Sequence, residues 1–484
     1  MAEPEKTDYR LTEIKGGISV YVPDNNTLMT PYILQEQEDW FEDEIEFLRG
    51  YLREGMNIID IGASYGVYTL TAALLTGNNG CVYSFEPTSS VFSCLKRSKE
   101  VNRLPNLYLF KKALSDNKGV SSLSLNPNPE LNSLSPDGTD KKSGTEEVEV
   151  TTLDSFSKEN SIKGIDFIKL DAEGKEVEII NGARKSLERF SPLIMYEIRH
   201  GETYNNDLAK TLQDLGYYSY RLLPGPKILV PFTPSSEHDP FLLNLFACKQ
   251  DTVSLLESQG FLAESRSIND SESDPYVTAD DPALWEKYLS SLRYSQKFIP
   301  YWKTPGKGQR NSSETKETIE KKYTEILNLY AVSRDKGKEP AKRYICIRKA
   351  FKKIQEITQT TKSLPFHLTA ARISFDAGER KKGVEYLGYI INNLKNLSSV
   401  NPDMPFIPVI KEYEAIPPEN PLINWILSSV LEGYLEKHAF STYFSKDEML
   451  PVLKKLSELG YTAKNIRSIQ DLIRENTSSR EPNK

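Results

Sequence analysis

The sequence has few cysteines, few histidines and no long apolar run, and each shortage excludes a class of protein. Its 4 cysteines lie far apart and form no CxxC pair, so neither a disulfide framework nor a cysteine-ligated metal site is expected. No apolar stretch approaches the roughly 20 residues that a membrane helix needs, and the start of the chain has no basic and apolar leader. We therefore expect a soluble, cytoplasmic protein without a membrane span.

The charge balance is slightly acidic, since 61 Lys and Arg against 68 Asp and Glu give a formal net charge of −7. General nucleic-acid binders usually carry a basic excess, so no nucleic-acid partner is expected. A hydrophobic share of 38% and an aromatic share of 10% are sufficient for packed cores. A length of 484 residues exceeds one ordinary core and indicates two domains.

Residues 1–250 alternate between short apolar strands and helix-length segments, which predicts an α/β fold with helices on both faces of a parallel sheet. The first predicted helix opens with Asp39 and Glu42 as a capping pair. Two late strands, 217–223 and 241–248, have no helix between them and predict an antiparallel edge hairpin. Residues 115–147 are rich in Ser, Asn, Pro and Gly, and we expect a surface excursion there, either a lid or a disordered loop.

The second half of the chain is predicted to be all-helical. Its polar, acidic beginning predicts a linker over 251–283, followed by a helical domain over 284–484. The pattern Ala350, Phe351, Ile354 and Ile357 recurs 33 positions later, near the period of stacked helix pairs, although plain helical packing gives much the same pattern. This domain can recognise a protein partner, self-associate or shape the substrate pocket, and the sequence does not choose between these roles.

The central motif runs from Asp60 through Gly62 and Ser64 to Gly66, between a predicted strand and helix. Small residues at such a turn let the backbone pass close to a ligand, and the helix start offers unpaired N–H groups. A dinucleotide, an ester attacked by Ser64 and S-adenosylmethionine all fit this geometry. The absence of GxGxxG weakens the first, and the absence of a Gly-rich oxyanion loop, with only 4 histidines, weakens the second.

Glu86 ends the next strand, 24 residues after Gly62. A carboxylate at this position suits hydrogen bonding to ribose hydroxyls, which both nicotinamide and methionine-adenosine cofactors present. Asp60, two residues before the glycine, favours the methyl donor, because a cationic amino acid moiety needs a nearby anion. On its own, such an aspartate is equally well a turn residue.

Five segments in this order, IIDIGASYGVYTL, VYSFEP, KKALSD, FIKLDAEGKEVEIINGA and PLIMYEIRHG, resemble the FkbM family of S-adenosylmethionine-dependent methyltransferases over about residues 20–249. The resemblance implies a class I methyltransferase, Rossmann-like fold with a seven-stranded sheet. It also implies O-methylation of a hydroxyl on a saccharide, glycan or secondary metabolite. Position by position, it implies that the cofactor is bound by Asp60, Gly62, Ser64, Gly66, Glu86, Ala113, Leu114, Ser115 and Asp171. The chain departs from the family in having Ser64 where Asn is usual and in its long loop before Val148.

The predicted catalytic residues are Asp171, Glu173, Glu197 and His200, at the ends of two neighbouring strands. His200 is the predicted base that removes the acceptor proton at neutral pH, with Asp171 or Glu173 orienting it or holding the cofactor's amino group. A solvated surface histidine is an equally good interpretation. Asp171, Glu197 and His200 are also suitable ligands for a divalent ion, but no metal is predicted.

Two further interpretations concern the walls of the site. Trp40 and Phe41 can wall the cofactor site and Glu42 can reach it, although capping already explains Glu42. Lys169 is interpreted as a paired strand residue that stabilises the carboxylates. The overall prediction is a methyltransferase acting on a small-molecule or glycan acceptor. The alternatives are a nicotinamide oxidoreductase, a Ser64 hydrolase and a non-catalytic scaffold acting through its helical domain.

Overall fold

The computed structural model describes residues 8–126, 128–129, 132–134, 144–200, 203–233, 239–272, 283–302, 314–393, 404–418, 421–463 and 466–478. The strands, in chain order, are β1 Tyr9–Ile14, β2 Ile18–Pro23, β3 Asn57–Ile61, β4 Cys81–Phe85, β5 Leu107–Phe110, β6 Ala113–Leu114, β7 Gly119–Ser124, β8 Ser133–Leu134, β9 Thr145–Thr151, β10 Phe167–Leu170, β11 Leu193–Glu197, β12 Arg199–His200, β13 Thr203–Tyr204, β14 Tyr218–Leu223, β15 Ile228–Pro231 and β16 Asn244–Cys248.

The helices of the first half are α1 Met29–Gln37, α2 Asp43–Tyr51, α3 Val67–Thr76, α4 Ser89–Asn102, α5 Leu153–Glu159, α6 Glu176–Asn181, α7 Arg184–Phe190, α8 Asn206–Asp214, α9 Gln250–Ser258 and α10 Ser265–Glu272. Those of the second half are α11 Leu284–Ser290, α12 Glu314–Arg334, α13 Pro340–Thr360, α14 Leu364–Asp376, α15 Arg380–Asn392, α16 Glu412–Ala415, α17 Leu422–Lys437, α18 Thr442–Ser445, α19 Leu450–Leu459 and α20 Ile466–Ser478. None of these helices is both long enough and apolar enough to cross a membrane.

The main sheet has eight strands in the order β15-β14-β16-β11-β10-β3-β4-β5. The run from β11 to β5 is parallel, while β16, β14 and β15 each pair antiparallel with a neighbour. This arrangement confirms the predicted class I methyltransferase-like α/β fold and the antiparallel pairing of 217–223 with 241–248. The sheet has one strand more than predicted, β15, whose residues Ile228 and Val230 are buried in the core of the helical domain.

Both faces of the parallel strands are buried, which explains why the sequences of these strands are continuous apolar runs. Ile58 and Ile59, adjacent in β3, belong to separate hydrophobic clusters, and Phe167 and Ile168 in β10 divide in the same way. Successive strand residues point to opposite faces of a sheet, so each cluster fills one face. The carboxyl ends of β3, β4 and β10 are thereby brought together at one edge.

The excursion predicted at 115–147 is partly ordered as sheet, so the alternative of a disordered loop is wrong for its described residues, while the alternative of a lid stays a prediction. β7 pairs antiparallel with β9 along its whole length, and β8 and β6 complete a four-stranded sheet. Leu123, Val148 and Val150 alternate toward a small core against Ala113. This alternation stabilises strands in a stretch whose composition is typical of loops.

The predicted capping pair is also wrong. Helix α2 begins at Asp43, and the side chain of the preceding Glu42 makes no capping hydrogen bond. Asp39 accepts two hydrogen bonds from Arg49, at 2.6 and 2.7 Å. A bidentate ion pair with a guanidinium is a strong, charge-assisted interaction, and it holds Asp39 away from the amides of the first turn.

The second half is helical, as predicted, and its helices pack in chain order, α12 on α13, α13 on α14 and α14 on α15. The predicted linker over 251–283 contains the helices α9 and α10, and its residues 273–282 lie outside the described ranges. Val253 and Leu256 of α9 are buried against the α/β sheet. The domain boundaries therefore stay predictions, while the described part of the linker is helical.

The helical domain contacts helix α1 through buried polar groups. The carboxylate of Glu36 accepts hydrogen bonds from Ser441 Oγ and Thr442 Oγ1, and at 3.0 Å from the Thr442 amide. The Tyr32 hydroxyl lies 2.8 Å from Thr442 Oγ1. Because buried polar groups need partners, this network fixes the position of α1 on the helical domain.

Candidate active site

The Gly62–Gly66 turn joins β3 to α3 and forms the floor of a cavity at the carboxyl edge of the sheet. Gly62 has φ +77°, and a Cβ atom there would lie 1.7 Å from the carbonyl oxygen of Asp171. Ser64 also has a positive φ of 47°. The glycine is thus required for close packing of the turn against the end of β10, which is a stronger constraint than the approach of a ligand.

Glu86 ends β4 beside this turn, as predicted, and is buried. Its Oε2 accepts a hydrogen bond from the Ser64 amide at 3.0 Å, and its Oε1 accepts one from the Thr88 amide at 2.8 Å. Burial raises the pKa of the Glu86 carboxyl to about 7, although these amide hydrogen bonds oppose the rise. A ligand hydroxyl donating to Glu86 would therefore meet a carboxylate whose ionisation is poised near neutral pH.

The predicted adenine-side residues divide into two groups. Ala113 and Leu114 line the cavity, and Asn132 of the 115–147 excursion lies beside them. Ser115 does not line the cavity. Its amide donates to the Thr151 carbonyl oxygen, and its own carbonyl oxygen packs against Gly182. The adenine side is therefore apolar, with main-chain groups at its rim.

Lys169 holds two of the predicted carboxylates. Its buried ammonium lies 2.9 Å from Asp171 Oδ2, 3.2 Å from the Gly62 carbonyl oxygen and 3.9 Å from Asp60 Oδ1. Burial alone would lower the pKa of Lys169, but Asp171 and Asp60 together outweigh it, so the net pKa is raised. The interpretation of Lys169 as a paired residue agrees with this geometry.

Asp60 lies behind the glycine turn rather than in the cavity wall. Its Oδ2 accepts a hydrogen bond from Thr69 of α3, and its buried Oδ1 has no hydrogen-bond partner among the described residues. The side chain points inward because the strand residue precedes the turn on the α3 face. Asp60 therefore acts on the cavity through Lys169, and the prediction of a direct ligand contact has no support in the geometry.

The other predicted carboxylates line the cavity together with Glu42. Asp171 has a half-exposed side chain, Glu173 follows in the left-handed conformation at φ 50°, and Glu197 ends β11. Burial, with repulsion from Asp171, Glu173 and Glu42, raises the pKa of Glu197 to about 9. Glu197 is protonated at neutral pH and is a hydrogen-bond donor there, not a base.

Sequence reasoning underestimated two residues of the site. Glu42 accepts a hydrogen bond from the Tyr68 hydroxyl, and its burial raises the pKa of the Glu42 carboxyl. Buried Glu176 accepts hydrogen bonds from the amides of Ala172 and Gly174, both at 3.0 Å, and shapes the turn that carries Glu173. Neither role has a local sequence signal. A glutamate two residues after the Gly turn is the only hint for Glu176.

His200 lies in the backbone of β12, three residues beyond the end of β11, and its side chain is outside the described part of the structure. The structure therefore does not test the prediction that His200 is the base. No described histidine lines the cavity, and the described residues hold no group of three or more histidine, cysteine or carboxylate side chains arranged for a metal ion.

The whole cavity has a volume of about 360 Å³. Residues of the glycine turn, Glu86, the adenine-side pair and the carboxylates surround it, with Trp40 and Phe41 on the side of α2. Ligand sites of a few hundred Å³ with convergent polar groups occur at this edge of open α/β sheets.

Residues 60–219 match the family model of the methyltransferase FkbM domain. This segment is similar to the methyltransferase FkbM domain. The match spans 160 of the 484 residues and covers the glycine turn, Glu86, Lys169 and Glu197. The predicted resemblance to the FkbM family, and with it the methyltransferase class, is confirmed for this segment, while the methylated atom and the roles of single residues stay predictions.

Several solved structures are similar to the chain. Methyltransferase FkbM from Methylobacillus flagellatus is 18% identical over 45% of this chain and 50% of that chain, with a TM-score of 0.30. The S-adenosylmethionine-dependent O-methyltransferase from Thermotoga maritima is 14% identical over 50% of this chain and 77% of that chain, with a TM-score of 0.27. An S-adenosylmethionine-dependent methyltransferase from Aquifex aeolicus is 15% identical over 45% of this chain and 93% of that chain, also with a TM-score of 0.27.

The chain thus spans half of the length of the Methylobacillus protein. No curated protein matches the sequence at a significant level.

Proposed function

We propose that this protein transfers the methyl group of S-adenosylmethionine to a hydroxyl oxygen of a saccharide, a glycan or a secondary metabolite. The observation that carries the proposal is the meeting of the Gly62 turn, Glu86 and a group of carboxylates in one cavity of the FkbM domain. The proposed setting is the cytoplasm, because its reducing conditions keep cysteines unpaired and the four in this chain are free.

The residues present fit the nucleoside part of this cofactor. Glu86 has both oxygens at the cavity edge of β4, each already held by one backbone amide, which leaves lone pairs for ribose hydroxyls. Ala113 and Leu114 offer an apolar surface for adenine. The N–H groups at the start of α3 add polar contacts at the turn.

The charges also fit a cation. Glu42, Asp171 and Glu173 surround one end of the cavity beside the protonated Glu197, and buried Lys169 neutralises only part of their charge. Burial first, and repulsion by neighbouring carboxylates second, raises the pKa values of Glu42 and Glu197, and a positively charged ligand would relieve the repulsion. S-adenosylmethionine carries a sulfonium and an ammonium group, whereas a nicotinamide dinucleotide brings a pyrophosphate that this end would repel.

When bound, the cofactor supplies an electrophilic methyl group. The chain then has to bind, orient and deprotonate the acceptor. Glu86 would fix the ribose, and the carboxylates around Lys169 would hold the amino acid end. The prediction of His200 as the base stays untested, because its side chain lies outside the described residues.

The alternatives have less support. Ser64 has its backbone in the left-handed region and its amide donates to Glu86, and no described histidine lies in the cavity wall to activate the hydroxyl.

Isothermal calorimetry of the full chain with S-adenosylhomocysteine tests the proposal. We expect saturable binding to the wild type, a loss of at least about tenfold in affinity for Glu86→Ala because the ribose contact is lost, and wild-type affinity for the exposed control Glu188→Ala. Saturable binding of NAD⁺ in place of S-adenosylhomocysteine would contradict the proposal, as would equal affinity of the two variants.

A further inference from the structure

A second cavity, here called the interdomain cavity, lies between the α/β domain and the helical domain and has a volume of about 640 Å³. Arg221 and Phe241 of the α/β domain form one wall. Phe375, Arg380 and Phe440 of the helical domain form the other. Cavities of this size between domains are common ligand sites.

The interdomain cavity adjoins the cavity at the carboxyl edge of the sheet, here called the cofactor cavity because the proposed cofactor would bind there. Trp40, Phe41, Glu42 and Leu243 line both, so these four residues form the boundary between them. Only Glu42 among the four is ionisable. A molecule in the interdomain cavity therefore meets the cofactor cavity at a carboxylate flanked by aromatic rings.

Half-buried aromatic rings line the interdomain cavity. Phe41 packs on Trp40 with ring centroids 4.7 Å apart and on Phe440 at 5.2 Å, and Phe440 lies 5.7 Å from Phe241. The Arg380 guanidinium lies between the last two rings, 4.3 Å from the centroid of Phe440 and 4.7 Å from that of Phe241. This stack joins the two domains at the cavity wall.

Charged groups of both signs alternate with these rings. Arg380 donates through Nε to the Lys437 carbonyl oxygen at 2.9 Å and through Nη2 to the Glu436 carbonyl oxygen at 3.1 Å, and no hydrogen bond from Nη1 to another described residue is seen. The Lys411 ammonium makes no ion pair with a described residue. Glu44 and Glu412 add acceptors to the same lining.

A lining with donors, acceptors and aromatic faces, but without one dominant charge, fits a polyhydroxylated molecule. Hydroxyl groups donate to carboxylates and accept from guanidinium or ammonium groups, and the C–H faces of a sugar ring pack on aromatic rings. A strongly anionic or cationic ligand would be repelled by about half of these groups.

We propose that the interdomain cavity binds the methyl acceptor, a saccharide or similar polyhydroxylated molecule, and that Glu42 accepts the proton of the hydroxyl that is methylated. This inference rests on the proposed function. It gives the helical domain a share of the acceptor site and assigns the base to a residue other than the predicted His200.

The proton balance of the step is simple. The acceptor oxygen forms a bond to the methyl carbon while the bond between that carbon and sulfur breaks, sulfur keeps the electron pair, and the hydroxyl proton passes to the Glu42 carboxylate. Tyr68 donates a hydrogen bond to Glu42 and holds it in place. Asp171 is engaged by Lys169, so it is less well suited to accept the proton.

The first test fills the interdomain cavity. Ala415 is an exposed residue of its lining on α16, so Ala415→Trp adds volume without removing a buried contact, and Ala463→Trp is the matched control at an exposed site outside both cavities. Transfer from tritium-labelled S-adenosylmethionine is measured to the methyl glycosides of glucose, mannose, galactose, rhamnose and N-acetylglucosamine, each tested alone. We expect at least one to accept the label and its KM to rise about tenfold or more in Ala415→Trp only, with unchanged affinity for S-adenosylhomocysteine.

The second test concerns the base. The groups that face Glu42 are Glu44 on its own helix, Tyr68 on α3, Lys169 and Asp171 at β10, and Glu197 on β11. With the accepted glycoside, Glu42→Gln should lower kcat by about 100-fold and remove the rise of kcat with pH, because an amide cannot take the proton. Glu188→Ala, exposed and outside both cavities, is the control and should keep both the rate and the pH profile.

These outcomes are separable from failure of the proposed function. If S-adenosylhomocysteine binds but no glycoside accepts the label, or if Ala415→Trp leaves KM unchanged, the acceptor assignment is wrong while the proposed function stands. If Glu42→Gln keeps the rate and the pH dependence of the wild type, the base assignment is wrong. If S-adenosylhomocysteine does not bind the wild type, the proposed function itself fails.

Discussion

The Lys169 ammonium lies 2.9 Å from Asp171 Oδ2 at the carboxyl end of β10, and the same ammonium lies 3.9 Å from the buried carboxylate of Asp60. One lysine therefore holds a carboxylate of the cavity wall and a carboxylate behind the glycine turn. Strand periodicity places residues 169 and 171 on one side of the sheet, and this contact follows from it.

Lys169→Met should destabilise the protein by on the order of 3 kcal/mol, because it leaves the buried Asp60 without a nearby cation. The free energy of unfolding from urea titrations measures the loss. Lys455→Met is the control, since the Lys455–Glu458 pair at 3.0 Å is exposed and its removal should give no measurable change. Equal stability of the two variants would show that the buried network contributes little.

Gly62→Ala should prevent stable folding or abolish binding of S-adenosylhomocysteine, because the new methyl group would lie 1.7 Å from the backbone oxygen of Asp171. Gly17→Ala is the matched control. Its φ of 73° is close to the 77° of Gly62, but a Cβ there meets nothing within 4 Å, so only the conformational cost of about 1–2 kcal/mol applies. Thermal unfolding and calorimetry of both variants separate the steric clash with Asp171 from the cost of a positive φ. If Gly62→Ala is as stable as Gly17→Ala, the close contact between Gly62 and Asp171 is wrong.

The parts of the site that the sequence predicted have local signals. The small residues from Gly62 to Gly66 lie between a strand and a helix, and Glu86 lies at the tip of the next strand, so a spacing rule is sufficient to find them. Gly62 and Ser64 also have the positive φ values that such a turn needs.

The parts that were missed depend on contacts between distant segments. Glu42 and Tyr68 are 26 positions apart, and only the packing of α2 against α3 brings them together. Ser115 and Asp60 have the expected places in the chain, but the Ser115 amide donates to the Thr151 carbonyl oxygen and the Asp60 carboxylate accepts from the Thr69 hydroxyl. The β7–β9 hairpin was missed because its Ser-rich composition hides the alternation of Leu123, Val148 and Val150.

Glu86 should make stability depend on pH. Burial raises the pKa of its carboxyl from 4.5 to about 7 in the folded protein, so between these values the folded state binds more protons than the unfolded state. The stabilising contribution is therefore full below pH 4.5 and is lost as the pH rises to about 7. A shift of this size corresponds to about 3 kcal/mol across the window.

Urea titrations of wild type and Glu86→Gln at several pH values between 4.5 and 8 measure this contribution. The amide does not titrate, so the difference in unfolding free energy between variant and wild type should change in favour of the variant up to about pH 7 and then stay constant. The change of this difference with pH is the quantity to compare. Its absolute value is not, because the side-chain amide of the variant also alters the hydrogen bonds to the Ser64 and Thr88 amides. A difference that is constant from pH 4.5 to 8 would contradict the raised pKa.

Glu36 should connect the two domains energetically. Its buried carboxylate accepts hydrogen bonds from Ser441 and Thr442, and α1, which carries it, also supplies Met29 and Thr30 to the cofactor cavity. Glu36→Ala leaves buried donors of the helical domain without an acceptor, so we expect a loss of about 3 kcal/mol in unfolding free energy and weaker binding of S-adenosylhomocysteine.

The control for this prediction is Gln35→Ala, at an exposed position of the same helix, which should change neither quantity. Tryptophan fluorescence reports on both domains, since Trp40 lies beside the cofactor cavity and Trp425 is buried in the helical core. A single unfolding transition in the wild type and a second transition in Glu36→Ala would show that this carboxylate couples the domains. Two transitions already present in the wild type would show that the domains unfold independently and that the contact at α1 does not carry the coupling.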